Sequence, residues 1–428
     1  MIEISYWLLI STCVLIVIWG FIKIERIYQY PFFMVAITIA FILPQISALI
    51  LNPLGVTQEA IVRFIIITIL CLIMCFVGYH SKPNPALLKR LQIPINDKRL
   101  MKSAFVLAIL GWIFGFLTQQ AASSFRAGEL WSGPATIFAF FSQVVYISFA
   151  IFLLGFLRKQ TYINFIGIII SSTPIISTIL AGRRQATMTF VIIVGLCLWL
   201  TLRWVPSRLI VITLMILGIY IIPVVGQLRS NFWNLAFKGD FYTLRYEAQK
   251  SFENLQSGET LEIRNAALIM DYASKNNDYE YGAGYWNALI FQYIPGQIVG
   301  QELKQSLQFQ TRRSDKLQSY YQYGLPLGTT WTGIGDSFLQ FGYLGCIIFA
   351  VIGIVFKTLW ISTVYYRSSI APILMMGFIS PAMLGITHGT ERFLQEMIFQ
   401  VAIISIISWF SKAKSSHFVA INLNHFDS

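Results

Sequence analysis

The chain has 428 residues, 56% of them hydrophobic and only 12% charged, with a mean hydropathy of +0.66. Soluble domains run about 45–50% apolar and about 25% charged, so a soluble globular enzyme is excluded. A disordered chain is excluded too, because it needs low hydrophobicity to stay unfolded.

Apolar runs of the roughly 20 residues that a membrane helix needs occur at 4–22, 32–52, 60–79, 102–118, 135–157, 162–180, 186–202 and 208–226. Three more follow at 336–357, 369–387 and 393–411. The pattern predicts an all-α polytopic membrane protein with about eleven transmembrane helices: an eight-helix block in 1–226, a large connecting loop over 227–333, and a three-helix block with a cytoplasmic tail in 334–428. Barrel strands would alternate apolar and polar residues, and these runs are continuously apolar. Only Glu3 precedes the first run, with no basic leader or small-residue cleavage site, so a retained helix is expected there. Cys13, Cys71, Cys75, Cys197 and Cys346 each fall inside an apolar run, which points to packing rather than to disulfides or a metal.

Short cytoplasmic loops collect Lys and Arg. One alternating set of connections holds 16 of the 31 basic residues, including Lys23, Arg26, Lys89, Arg90, Arg203, Arg208 and Lys414. The opposite short connections hold only Arg63, Arg126, Arg183, Arg184 and Arg392. The N-terminus is therefore expected outside, the C-terminus in the cytoplasm and the long loop outside. That loop balances ten basic against ten acidic residues, so the net charge of +12 is a topology signal and no nucleic-acid partner is needed to explain it.

The loop is too long for an ordinary connection and is expected to fold, mainly as helix. Helical spacing marks Leu261, Ala266, Leu268, Ile269 and Tyr272, then Trp286 to Leu307 with Pro295 interrupting. Ten of the twenty tyrosines lie here. A tyrosine ring suits both sugar stacking and the aromatic belt of a membrane interface. Tyr281, Tyr285, Trp286, Tyr323 and Trp331 are the glycan-binding candidates under the first reading.

Arg183 and Arg184 follow a glycine turn in ILAGRRQAT, on the side where the charge rule disfavours them. Either they snorkel to lipid phosphate or, as rigid bidentate donors, they bind an anionic ligand. Arg229 and Arg392 fall on the same expected side, and three or four arginines converging there would clamp a lipid pyrophosphate without a metal. For proton transfer the candidates are His388 and Glu391 in GITHGTER, Asp336 in GIGDSF, and Glu396. No phosphate loop, HExxH, GxSxG or DxD motif is present, so neither cofactor nor metal is expected.

Gly335, Asp336, Phe341, Gly342, Leu344 and Gly345, the IPG turn at Ile294–Gly296 and the GRR turn together resemble the Wzy-type O-antigen and exopolysaccharide polymerases of bacteria. Asp336 stands where that family more often has Glu, and Gly296 where a basic residue is common. The resemblance implies a metal-independent glycosyltransferase of the cell (inner) membrane. It would polymerise polyprenyl-pyrophosphate-linked oligosaccharide repeat units on the outer face, with a lipid-linked donor and acceptor, alongside a flippase and a chain-length regulator. Arg183, Arg184, Arg229 and Arg392 would hold the donor pyrophosphate, and His388, Glu391 or Asp336 would deprotonate the acceptor hydroxyl. An O-antigen ligase and a transporter of a lipid-linked anion are the alternatives.

Overall fold

A computed structural model describes residues 1–122, 134–257, 262–326 and 328–413. Arg126, Leu261 and Lys414 lie outside the described residues. Apart from a bridge between Ile95 and Lys412, regular structure among the described residues is helical. Seven long apolar helices come first: α1 (Ile2–Ile22), α2 (Tyr30–Leu51), α3 (Gln58–His80), α4 (Asp97–Ala122), α5 (Pro134–Arg158), α6 (Tyr162–Leu180) and α7 (Arg184–Leu202). Then come α8 (Arg208–Leu228) and five helices of the long segment: α9 (Ser230–Lys238), α10 (Phe241–Ser257), α11 (Glu262–Asn276), α12 (Ala283–Tyr293) and α13 (Arg313–Tyr321).

The C-terminal part holds α14 (Thr332–Phe341) and α15 (Ile347–Val364), joined by a tight turn into one span, then α16 (Ala371–Thr387) and α17 (Thr390–Ser411). Among the described residues nine helices are long and apolar enough to cross a membrane, at nine of the expected positions. At the other two the apolar helices are shorter, Arg208–Ile219 and Ala371–Thr387.

Local chemistry sets several helix starts. The Thr57, Thr161 and Ser207 side chains accept from backbone N–H groups of the first turns of α3, α6 and α8, satisfying donors that the helix cannot. α3 and α15 pack backbone to backbone: a Cβ on Gly78 would meet the Ala350 backbone, and one on Gly353 the Cys75 carbonyl at 2.7 Å. Small residues at such a crossing allow the close approach that lipid-embedded helices rely on. All five cysteines are buried and none forms a disulfide.

The segment between α8 and α14 does not stand apart. α11 packs on α3 and α14 and buries Ile263, Ala266, Ala267, Ile269, Met270 and Ala273 in the same apolar core as the membrane helices. Asp271, also buried there, accepts from Arg63 of α3, from Lys275 and from the Tyr321 hydroxyl of α13, each at 2.7 Å. Burial would raise the Asp271 pKa, but hydrogen bonds from Lys275, Tyr321 and Arg63 outweigh it and hold the carboxyl below its ordinary value.

Candidate functional site

A cavity of about 970 Å³ runs between α2, α7, α8 and α16, with mostly apolar walls that include Phe33, Phe41, Met188, Leu214 and Met383. Its polar end is formed by Arg183, Arg184, Arg229, Glu262 and His388, and its other end reaches Tyr28, Trp204 and Pro206. These ends are separated by the length of α7, roughly 28 Å at 1.5 Å per residue. The cavity thus joins a cationic head to a long apolar body.

Three of the four expected arginines meet here although Arg229 is far along the chain from the first two. The cause is the turn after α6. Gly182 has φ of +77°, and a Cβ on it would collide with the Arg229 backbone. Trp233 of α9 fixes the same corner by donating to the Ile179 carbonyl at 2.8 Å. Gly182→Ala is expected to lose about 1–3 kcal/mol, from left-handed strain and from displacement of the α8–α9 junction. An unfolding midpoint in detergent identical to wild type would contradict the close approach.

Burial, and secondarily the Arg229 charge, lower the Arg183 pKa below the usual arginine value, although the group stays protonated at any ordinary pH. Burial raises the Glu262 carboxyl above its ordinary value, opposed in part by Arg184. The head of the cavity therefore has three guanidiniums and one carboxylate, an environment that favours an anion.

His388 caps the end of α16. Its Nδ1 lies 2.8 Å from the Thr387 hydroxyl, which itself donates to the Met383 carbonyl at 2.9 Å. Since that hydroxyl has one proton, the network assigns Nδ1 as the imidazole donor and leaves Nε2 with the basic lone pair. The ring is accessible from the cavity but walled by protein. Desolvation, reinforced by Arg392 and Arg184, pushes its pKa down to about 4. His388 is thus a neutral imidazole at pH 7.

Asp336 and Glu391 belong to a second cluster beside the first. Arg313 of α13, 11% exposed, donates to both Glu280 oxygens at 2.8 and 2.6 Å, to Asp336 at 3.2 Å and to Glu391 at 3.4 Å. Burial alone would lower the Arg313 pKa; the Glu280 hydrogen bonds and the Asp336 and Glu391 charges hold it above the ordinary value. Asp336 is fully buried and accepts from the Thr390 hydroxyl at 2.6 Å and the Glu391 backbone N–H at 3.2 Å. It holds the first turn of α17, and so the His388–Gly389 corner, in place. Arg392 donates to Gln395 at 3.3 Å and does not line the cavity, but its charge reaches His388.

The aromatic candidates divide by what their polar tips do. The Tyr285 hydroxyl lies 2.7 Å from that of Thr390 and its ring stacks on Phe341, beside the carboxylate cluster. Tyr323 donates to Asn265 at 2.7 Å beneath the Arg264 guanidinium, and Trp286 donates to the Leu307 carbonyl at 2.7 Å. Trp331 is partly buried against the core, while Tyr281 is 73% exposed.

Arg313 and Glu280 are the site-building residues that sequence reasoning passed over. In a segment whose net charge is near zero they look like two more solvated charges, and only the Arg312–Arg313 doublet hints at more. No family model, curated protein or solved structure matches the chain.

Proposed function

We propose that the protein is a metal-independent glycosyltransferase of the bacterial cell membrane that polymerises polyprenyl-pyrophosphate-linked oligosaccharide repeat units. The observation that carries this reading is the long apolar cavity with Arg183, Arg184, Arg229 and His388 at one end. A polyprenyl chain fits the apolar body, and guanidiniums suit the pyrophosphate. By the charge asymmetry of the connections this end would lie on the outer face, where the donor and acceptor would meet after a flippase has delivered them. A chain-length regulator would act on the product.

In the proposed reaction the acceptor hydroxyl attacks the anomeric carbon of the donor, and the bond to the lipid pyrophosphate breaks. The arginines stabilise the departing pyrophosphate as its charge grows. Neutral His388 accepts the hydroxyl proton at Nε2. Asp336 and Arg313 act indirectly, by fixing the turn that carries His388, and Glu391 stands one turn away as the other acid–base candidate. The exposed Tyr281 face offers a platform for sugars.

The test is incubation of purified protein with a lipid-linked repeat unit, without added metal or nucleotide, followed by a glycan ladder gel. A ladder supports the polymerase. Transfer only to an added lipid A core acceptor supports the ligase reading, and movement of the lipid across vesicles without bond formation supports transport. With His388 as base, ladder formation should persist from pH 7 down to about 5, where a histidine of ordinary pKa would already be protonated. It should fall only as the pH nears about 4. An activity midpoint near 6.5 that disappears in His388→Gln would contradict the depressed pKa.

A further inference from the structure

A second cavity, of about 290 Å³, lies at the opposite end of α7, where the C-terminal ends of α1, α3, α7 and α15 come together. Lys23, Arg26, Arg203 and Lys357 line it with a single carboxylate, Glu25. Among the described residues no carboxylate pairs with any of these four cations. Three of them lie over aromatic faces instead. The Arg26 guanidinium is 4.8 Å from the Trp19 ring centre, the Arg203 guanidinium 5.0 Å from Trp199, and the Lys357 ammonium 5.2 Å from Tyr79. Trp199 stacks on Trp360 at 4.7 Å, which fixes that wall.

The charge rule accounts for cations in cytoplasmic loops, but two features go beyond it. Lys357 is inside α15, about two turns before its end, and partly buried. An ionisable residue there is costly unless it has a partner. Tyr79 is 2% exposed, lines the cavity, and its hydroxyl has no hydrogen-bond partner among the described residues. A buried hydroxyl left unmade costs about 1–3 kcal/mol. An oxyanion seated among these groups would accept from Tyr79 and neutralise Lys357 and Arg203, while the cation–aromatic contacts keep the cations in place without consuming their charge.

We propose that this cavity binds a phosphate group. By the charge asymmetry it opens at the cytoplasmic leaflet, so the phosphate could be the headgroup of an anionic phospholipid or a free phosphate from the cytoplasm. The two sources share one recognition chemistry and differ in what they carry. The site lies at the opposite end of α7 from the arginine head of the first cavity, beside the end of that cavity that reaches Tyr28 and Trp204, and the two cavities share no lining residue.

Delipidated protein in neutral detergent, in an Arg184→Ala background that weakens the other anion site, is titrated separately with phosphatidylglycerol, phosphatidylcholine and inorganic phosphate. Native mass spectrometry reads lipid binding and calorimetry reads phosphate. Saturable binding of phosphatidylglycerol but not phosphatidylcholine supports a headgroup site, and binding of inorganic phosphate supports a soluble ligand. In either case Arg203→Gln with Lys357→Met should weaken binding about tenfold or more, equivalent to about 1.4 kcal/mol. Tyr79→Phe, which keeps the ring and removes only the hydroxyl, should weaken it less. The proposal is overturned if no anion binds, or if Tyr79→Phe and the double variant both bind as tightly as the background protein while retaining its unfolding midpoint.

Discussion

Arg183→Ala is expected to lower the initial rate of ladder formation by about 10²- to 10³-fold, the usual loss when one preorganised donor to a developing negative charge is removed. Arg183 ends the turn between α6 and α7, at the N-cap position of α7, and reaches the cavity head beside Arg229. Burial and the Arg229 charge both disfavour its cationic form. In the proposed reaction that disfavour is released when a pyrophosphate arrives, and released further as charge builds on the leaving group. The effect should therefore appear in kcat as well as KM. Arg183→Lys should recover part of the rate, since it restores a charge but not the bidentate fork. A variant whose lipid binding falls while its turnover at saturation is unchanged would limit Arg183 to ground-state binding. Unchanged binding and turnover together would remove it from the site. The side chain borders the cavity rather than packing in the core, so the unfolding midpoint should stay near wild type, separating this result from a folding defect.

What the sequence conveyed about this molecule follows from how each feature is encoded. A membrane helix is written locally, in some twenty contiguous apolar residues, and nine of the expected positions carry such helices. The presence of arginines at the GRR turn and at Arg229 was equally local. Their meeting was not, because it depends on a glycine backbone packed against a residue in a different helix junction. Asp336 illustrates a different limit. An acid in a glycine-rich motif reads as chemistry, yet here its oxygens are engaged by Arg313, Thr390 and a backbone N–H. A side chain so engaged positions other groups, and nothing in the residues next to Asp336 distinguishes that task from catalysis. The Arg313–Glu280 pair was illegible for a simpler reason. Periodicity finds buried apolar faces, and a buried charge pair leaves no apolar period.

That pair has the largest structural effect expected of any single substitution here. Arg313→Ala would leave Glu280, Asp336 and Glu391 gathered in a largely buried pocket without their common cation. Removing one partner from a buried charge cluster costs about 3–5 kcal/mol, because the charges left behind have given up water without compensation. The damage should spread along the hydrogen bonds. Glu280 also accepts from Gln340 at 2.6 Å, and Gln340 in turn accepts from the backbone N–H groups of Gly282 and Gly284 at 3.0 and 3.3 Å. The start of α12, the end of α14 and the first turn of α17 are therefore held by one network. A large drop in the unfolding midpoint is expected for Arg313→Ala, with loss of ladder formation as the His388 corner loosens. Glu280→Gln made in the Arg313→Ala background removes one of the stranded charges, and should restore part of the midpoint although the same change is destabilising in the wild-type protein. That reversal of sign is what distinguishes a buried electrostatic cluster from ordinary packing, for which two losses would add. Additive losses, or an Arg313→Ala protein as stable as wild type, would mean that water already solvates the carboxylates and that Arg313 is a peripheral charge.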